Sequence, residues 1–164
     1  MLAERLDRAR NAVLSEGTDW IGPLKQAFGS PNNLTSWRDH DRFLKWCVSD
    51  PAAARASLQA LWDRDAPLDA RIRGFEMLLP KGTVSMATAF MSYLLMADPL
   101  ENPVFRMTPF EQGFKLTGEP GFPPNANPPN YYAYALQFLD HVLDEAEKRG
   151  VALRDRLDAQ SVLW

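Results

Sequence analysis

One histidine in this chain of 164 residues has neighbours that could support catalysis. His40 lies between Asp39 and Asp41, and a histidine beside carboxylates is a typical setting for a general base. The same residues also suit the polar first turn of a helix that Ser36 caps. The cluster therefore has a catalytic and a structural interpretation, and we expect the structural one.

Two pairs of aspartates, Asp140 with Asp144 and Asp155 with Asp158, have helical spacing. Each pair could place two carboxylates on one helix face for acid–base catalysis or for binding a cation. A solvent-exposed helix face without any such role has the same spacing. One cysteine and two distant histidines do not form a usual zinc set, and no glycine-rich phosphate loop or nucleophile motif occurs. The sequence therefore predicts a protein that is not an enzyme, with no metal and no cofactor.

Phe105 and Arg106 form the most specific candidate for ligand binding. They lie in the run 103–110, whose two prolines restrict the backbone. A guanidinium held there could recognise an anion or the edge of a base. The alternative is structural: Arg106 would tie the loop to helix-end carbonyls or to Asp98, and Phe105 would fill the core.

We predict a ligand surface built from residues 102–110 and the loop before Tyr131. The candidate binding residues are Trp37, Arg38, Phe105, Arg106 and Tyr131. Apolar surface with one or two directed polar groups is the usual composition of a binding site. Aromatic rings of this kind could stack on single-stranded nucleic acid or accept a flipped base. Aromatic residues at helical spacing also pack into cores, which is the competing interpretation.

The elements that must position these residues are helical. Apolar residues recur with a helical period along most of the chain. The pattern predicts helices over 1–15, near 21–28, after Ser36, after Asp50, after Pro67, over 83–97, within 111–116, over 131–148 behind an Asn130 cap, and over 153–164. We expect one all-α domain over residues 1–164, a compact bundle of about seven or eight helices. The apolar helix 83–97 would lie at its centre, and a proline-rich irregular segment would span 99–129.

Charge and composition exclude several classes of protein. The net charge is −3, and no block of like charge occurs, which is unfavourable for tight nonspecific DNA binding. Arginine outnumbers lysine 13 to 5, which favours planar, bidentate contacts. The apolar run 84–97 is shorter than the roughly 20 residues of a membrane helix. With one cysteine and no signal-peptide pattern, we expect a cytoplasmic protein without membrane contact.

Four stretches of the chain resemble one known family. They are Leu34–Trp37, Ser92–Pro99, Pro103–Phe110 and Arg156–Trp164. Together they are similar to a helical N-terminal domain of bacterial restriction and phage-defence NTPases, the McrB-like AAA+ proteins. The resemblance implies a recognition domain that binds DNA, modified or unmodified, and precedes a covalently linked motor domain. The alternative is a protein-interaction or oligomerisation module that contacts a partner defence protein.

Overall fold

A computed structural model describes residues 1–15, 17–29, 34–80, 87–124, 126 and 128–164. These residues form helices and no strand, which confirms the all-α fold class. The helices are α1 (Leu2–Leu14), α2 (Ile21–Phe28), α3 (Trp37–Ser49), α4 (Pro51–Trp62), α5 (Leu68–Leu78), α6 (Ala87–Leu95), α7 (Met107–Thr117), α8 (Pro128–Lys148) and α9 (Arg156–Leu163). The bundle of about seven or eight helices that the sequence predicts is thus close to what is found.

Two helix starts follow the predicted capping chemistry. The Ser36 hydroxyl accepts a hydrogen bond from the Arg38 backbone N–H at 3.3 Å and begins α3. The Asp50 carboxylate accepts one from Ala53 N–H at 3.1 Å, and Pro51 occupies the first position of α4. Each cap satisfies one of the donors that a helix start leaves without an intrahelical partner.

Helix α6 is buried in the core. Its residues 90–95 are almost completely inaccessible to solvent. The Tyr93 hydroxyl donates to the Ala27 carbonyl at 3.2 Å, and the Trp62 indole donates to the Leu94 carbonyl at 3.2 Å. These bonds fix α6 to α2 and α4. Residues 83–86 of the predicted apolar helix lie outside the described residues.

Helices α4 and α5 pack closely. A Cβ atom on Gly74 would lie 2.9 Å from the Cβ of Ala60, which is closer than two side chains can approach. Gly74 therefore permits the two helices to touch. The Arg71 guanidinium crosses the same contact and donates to the Leu61 carbonyl at 2.8 Å.

Three predicted helix boundaries were wrong. Helix α7 begins at Met107 rather than Glu111, and α8 begins at Pro128, so Asn130 lies inside α8 instead of capping it. Prolines occupy the first turns of both helices, where a missing N–H removes no intrahelical hydrogen bond. Helix α9 begins at Arg156 rather than at residue 153, because Asp155 caps it.

Among the described residues, no helix combines the length and the apolar character that crossing a membrane requires.

Candidate functional site

Arg106 connects two segments that are distant in sequence. It is the residue before α7, its side chain is exposed, and its Nη1 donates to the Leu34 carbonyl oxygen at 3.2 Å. Leu34 precedes the first residue of α3 by three positions. The starts of α3 and α7 are therefore neighbours, and the structure brings Arg106 close to the segment that carries Trp37 and Arg38.

Trp37 and Arg38 form a cation–π pair at the start of α3. The guanidinium carbon of Arg38 lies 5.3 Å from the centre of the Trp37 ring system. Trp37 is 69% exposed, which is unusual for so large an apolar side chain. Such a pair stabilises an exposed site by about 0.5–1 kcal/mol, so Arg38 restricts the orientation of the ring.

Arg42 belongs to this surface, although the sequence analysis did not select it. Within the described part of the chain, eleven of the thirteen arginines donate side-chain hydrogen bonds to carboxylates or backbone carbonyls. The guanidinium groups of Arg38 and Arg42 make no such bond there, and both are exposed. They are four residues apart, so they share one helix face. That spacing is the signal that could have found Arg42.

We define the α3 face as Trp37, Arg38 and Arg42. Two carboxylates lie close to it in sequence. Asp41 forms an ion pair with Lys45, whose Nζ lies 2.8 Å from its Oδ2, and Asp39 is half-buried in the first turn of α3. Arg38 and Arg42 are therefore exposed charges of the α3 face, and the half-buried Asp39 beside Arg38 offsets part of their positive charge.

Phe105 is a core residue, which corrects its prediction as a ligand contact. It is 3% exposed, stacks on Phe110 with ring centroids 5.5 Å apart, and meets Phe122 edge-on at 5.7 Å. Its backbone N–H donates to the Ser92 hydroxyl at 2.8 Å. The rigid segment before α7 thus serves to fix Phe105 in the core while Arg106 points outward.

Tyr131 lies on a different part of the surface. It is half-buried, meets Phe122 edge-on at 5.2 Å, and lines a groove of about 500 Å³ between α7 and the loop 119–124. Met107 lines the same groove and directly follows Arg106. The groove therefore begins one residue from Arg106, but nothing places Tyr131 against the α3 face.

His40 is held as a structural residue of the core. It is 7% exposed, its ring stacks on Phe28 at 4.6 Å, and its Nε2 lies 2.6 Å from the Thr35 hydroxyl. Burial lowers the pKa of His40, and a hydrogen bond with the Phe28 backbone partly opposes this. Burial likewise raises the pKa of the Cys47 thiol to about 12. Neither group is positioned to meet a substrate.

Three of the four aspartates in these pairs are engaged in structural contacts. Asp140 accepts two hydrogen bonds from Arg156, at 2.6 and 2.7 Å. Asp155 caps α9, and Arg154 binds both carboxylate oxygens of Asp158, lowering the pKa of that carboxyl to about 2. The described residues contain no cluster of three or more potential metal ligands.

Asp98 is not the partner of Arg106. Its two carboxylate oxygens accept hydrogen bonds from Arg10 and Arg64 instead.

The fold and the site of the described residues define a helical domain with an exposed tryptophan beside two exposed arginines at the start of α3. No protein-family model matches the chain, and no curated protein or solved structure matches it either.

Proposed function

We propose that this chain is a non-catalytic DNA-recognition domain that binds DNA through the α3 face. The observation that carries the proposal is that, among the described residues, the guanidinium groups of Arg38 and Arg42 donate no hydrogen bond while those of the other arginines do. Exposed guanidinium groups bind phosphate oxygens with planar, charge-assisted hydrogen bonds. Trp37 beside them adds an aromatic surface.

The position of the arginines favours anion binding further. Arg38 lies in the first turn of α3, where the helix dipole adds positive potential. The net charge of −3 confines attraction for phosphate to local surfaces. We therefore expect binding that is modest in affinity, sensitive to salt and dependent on few side chains.

The resemblance to McrB-like N-terminal domains supports the same function. In this proposal the domain works in the cytoplasm, reads DNA that is modified or unmodified, and is linked to a motor domain that hydrolyses nucleotide. Catalysis belongs to that motor and its associated nuclease. In this proposal the α3 face binds DNA and takes no part in catalysis.

Fluorescence anisotropy with labelled duplex and single-stranded DNA at low salt tests the proposal. The double variant Arg38→Gln, Arg42→Gln should bind at least about tenfold more weakly, because each charge-assisted hydrogen bond contributes roughly 1.5–3 kcal/mol. Arg73→Gln is the matched control, since Arg73 is an exposed helical arginine already paired with Asp69. The proposal fails if the wild-type chain binds neither DNA form, or if the double variant binds as well as the control.

A separate surface favours the second candidate, a protein-interaction or oligomerisation module. A groove of about 420 Å³ lies between the ends of α7, α8 and α9. Leu116, Val151 and Val162 line it and are 87%, 54% and 65% exposed. Clustered apolar exposure of this kind marks protein contacts. Sedimentation of wild type and Leu116→Ser tests oligomerisation through this groove. Self-association of wild type that is lost in the variant supports it, and a monomeric wild type contradicts it.

A further inference from the structure

We propose that the α3 face is specific for single-stranded DNA, with Trp37 stacking on an unpaired base while Arg38 and Arg42 bind the phosphates beside it. This inference rests on the proposed function and names the substrate class of the same site. Its first support is the exposure of Trp37, whose indole is 69% accessible at the surface of the domain.

An exposed indole favours single-stranded over double-stranded DNA because of the base surfaces that it can contact. In a duplex the faces of the bases are covered by their neighbours, and only their edges are presented in the grooves. An indole binds a base through its face, and every base has such a face once it is unpaired. An exposed tryptophan therefore contributes more binding free energy to a complex with a single strand than to one with a duplex.

The cation–π contact with Arg38 orients the Trp37 ring before DNA binds. Arg38 lies over the indole at 5.3 Å, so its guanidinium occupies one face and restricts rotation of the side chain. The opposite face of Trp37 is then available to a base. A ring that is already oriented loses less conformational entropy on binding, which strengthens the interaction.

The spacing of the two arginines suits one strand. Arg38 and Arg42 are four residues apart on α3, which separates their backbones by about 6 Å along the helix. This is comparable with the distance between successive phosphates along a DNA strand, paired or unpaired, so the arginines supply affinity and Trp37 supplies the preference for a single strand. Adjacent phosphates can therefore be bound together while the base attached between them reaches Trp37.

Arg106 is a positioning residue in this arrangement. Its hydrogen bond to the Leu34 carbonyl holds the segment that leads into α3. The Ser36 cap lies between that bond and Trp37 and fixes the first turn. Trp37 is thus presented from a backbone held at two points just before it.

The test compares one oligonucleotide of about twelve nucleotides, long enough for one binding site, as a single strand and as a duplex with its complement. Wild type, Trp37→Leu and the control Tyr134→Leu, an exposed aromatic on α8, are titrated at low salt. We expect wild type to bind the single strand at least about fivefold more tightly than the duplex. Trp37→Leu should lose roughly 5- to 150-fold in single-strand affinity and should keep its duplex affinity. Its unfolding temperature should fall by no more than about 4 °C, because only the exposed cation–π contact with Arg38 is lost.

Tryptophan fluorescence gives an independent readout. Saturation with the single strand should quench part of the emission of wild type and of Tyr134→Leu, and this quenching should be absent in Trp37→Leu. Equal or tighter duplex binding by wild type overturns the inference and leaves the proposed function standing. Equal losses for both DNA forms in Trp37→Leu also overturn it. Absence of binding to either form by wild type refutes the proposed function and the inference together.

Discussion

The Arg106 guanidinium donates a hydrogen bond to the Leu34 carbonyl across 72 positions of sequence, and it thereby joins the start of α7 to the start of α3. Arg106 therefore has a structural contact at the same place where the sequence predicts a ligand contact. This hydrogen bond also explains why the N-terminal ends of helices α3 and α7 are neighbours.

Arg106→Ala should weaken single-strand binding several-fold at only a modest cost in stability. Loss of the hydrogen bond to Leu34 should lower the free energy of unfolding by about 0.5–1.5 kcal/mol. The segment before Trp37 would then be held less firmly, so DNA affinity should fall by several-fold. Chemical denaturation and anisotropy measure the two effects. A loss of stability above about 3 kcal/mol with unchanged affinity of the folded protein would show a purely structural role.

Phe105→Ala should strongly destabilise the protein. The side chain is 3% exposed and packs on Phe110 and Phe122, and removing a buried phenyl group costs about 3–5 kcal/mol. Trp37→Ala should cost at most about 1 kcal/mol, because the residue is mostly exposed and only the cation–π contact of its ring with Arg38 is lost. Urea denaturation of both variants checks the contrast. Equal effects would contradict the assignment of Phe105 to the core and Trp37 to the surface.

Asp98→Asn should also destabilise the fold. Asp98 accepts hydrogen bonds from Arg10, which is 9% exposed, and from Arg64. Removing its charge leaves Arg10 buried with one remaining carboxylate, Asp7, and breaking such a pair costs up to about 3–5 kcal/mol. Asp69→Asn, which disrupts an exposed i,i+4 pair, is the control and should cost less than about 1 kcal/mol. Similar losses in the two variants would mean that Asp98 is no more important than a surface residue.

Stability should fall on mild acidification because of His40. Burial lowers the pKa of His40 in the folded chain, so below its ordinary value of about 6.5 the unfolded chain binds more protons. The free energy of unfolding should therefore decrease as the pH falls from about 7.5 to about 5.5. Glu76, whose pKa burial raises, contributes the opposite slope at lower pH.

His40→Asn isolates the histidine. The variant should be less stable at neutral pH but should show a flatter dependence on pH over the same range, since the contribution of Glu76 is common to both proteins. Denaturation at several pH values measures this. A variant whose pH dependence parallels that of wild type would show that His40 does not titrate differently in the folded and unfolded chains.

Local chemistry made several elements predictable. Ser36 and Asp50 are strong capping residues in front of apolar patterns, so the starts of α3 and α4 follow directly from the sequence. Gly150 after Lys148 predicts the end of α8, and the structure confirms it with φ of +72° at that glycine. By contrast, a proline can precede a helix or lie in its first turn, so the prolines near the starts of α7 and α8 allow two positions for each start. Tertiary packing decided between the two positions.

The candidate site was less predictable because it depends on contacts between distant segments. The burial of Phe105 follows from Phe110 and Phe122, and no local pattern distinguishes it from an exposed ring beside arginine. Arg106 donates to a carbonyl oxygen 72 positions away, while Asp98, the carboxylate that the sequence suggested as its partner, binds two other arginines. Spacing alone predicts that Arg38 and Arg42 share a face. That neither guanidinium donates a hydrogen bond within the described part of the chain depends on the whole fold.

The salt dependence of single-strand binding tests the central claim most directly. Each phosphate contact contributes about 0.7 to the slope of log affinity against log salt for single strands. Wild type should therefore show a negative slope that becomes shallower by about 1.4 in Arg38→Gln, Arg42→Gln, while Arg73→Gln keeps the wild-type slope. A slope that is the same in wild type and the double variant would contradict phosphate binding by the α3 face.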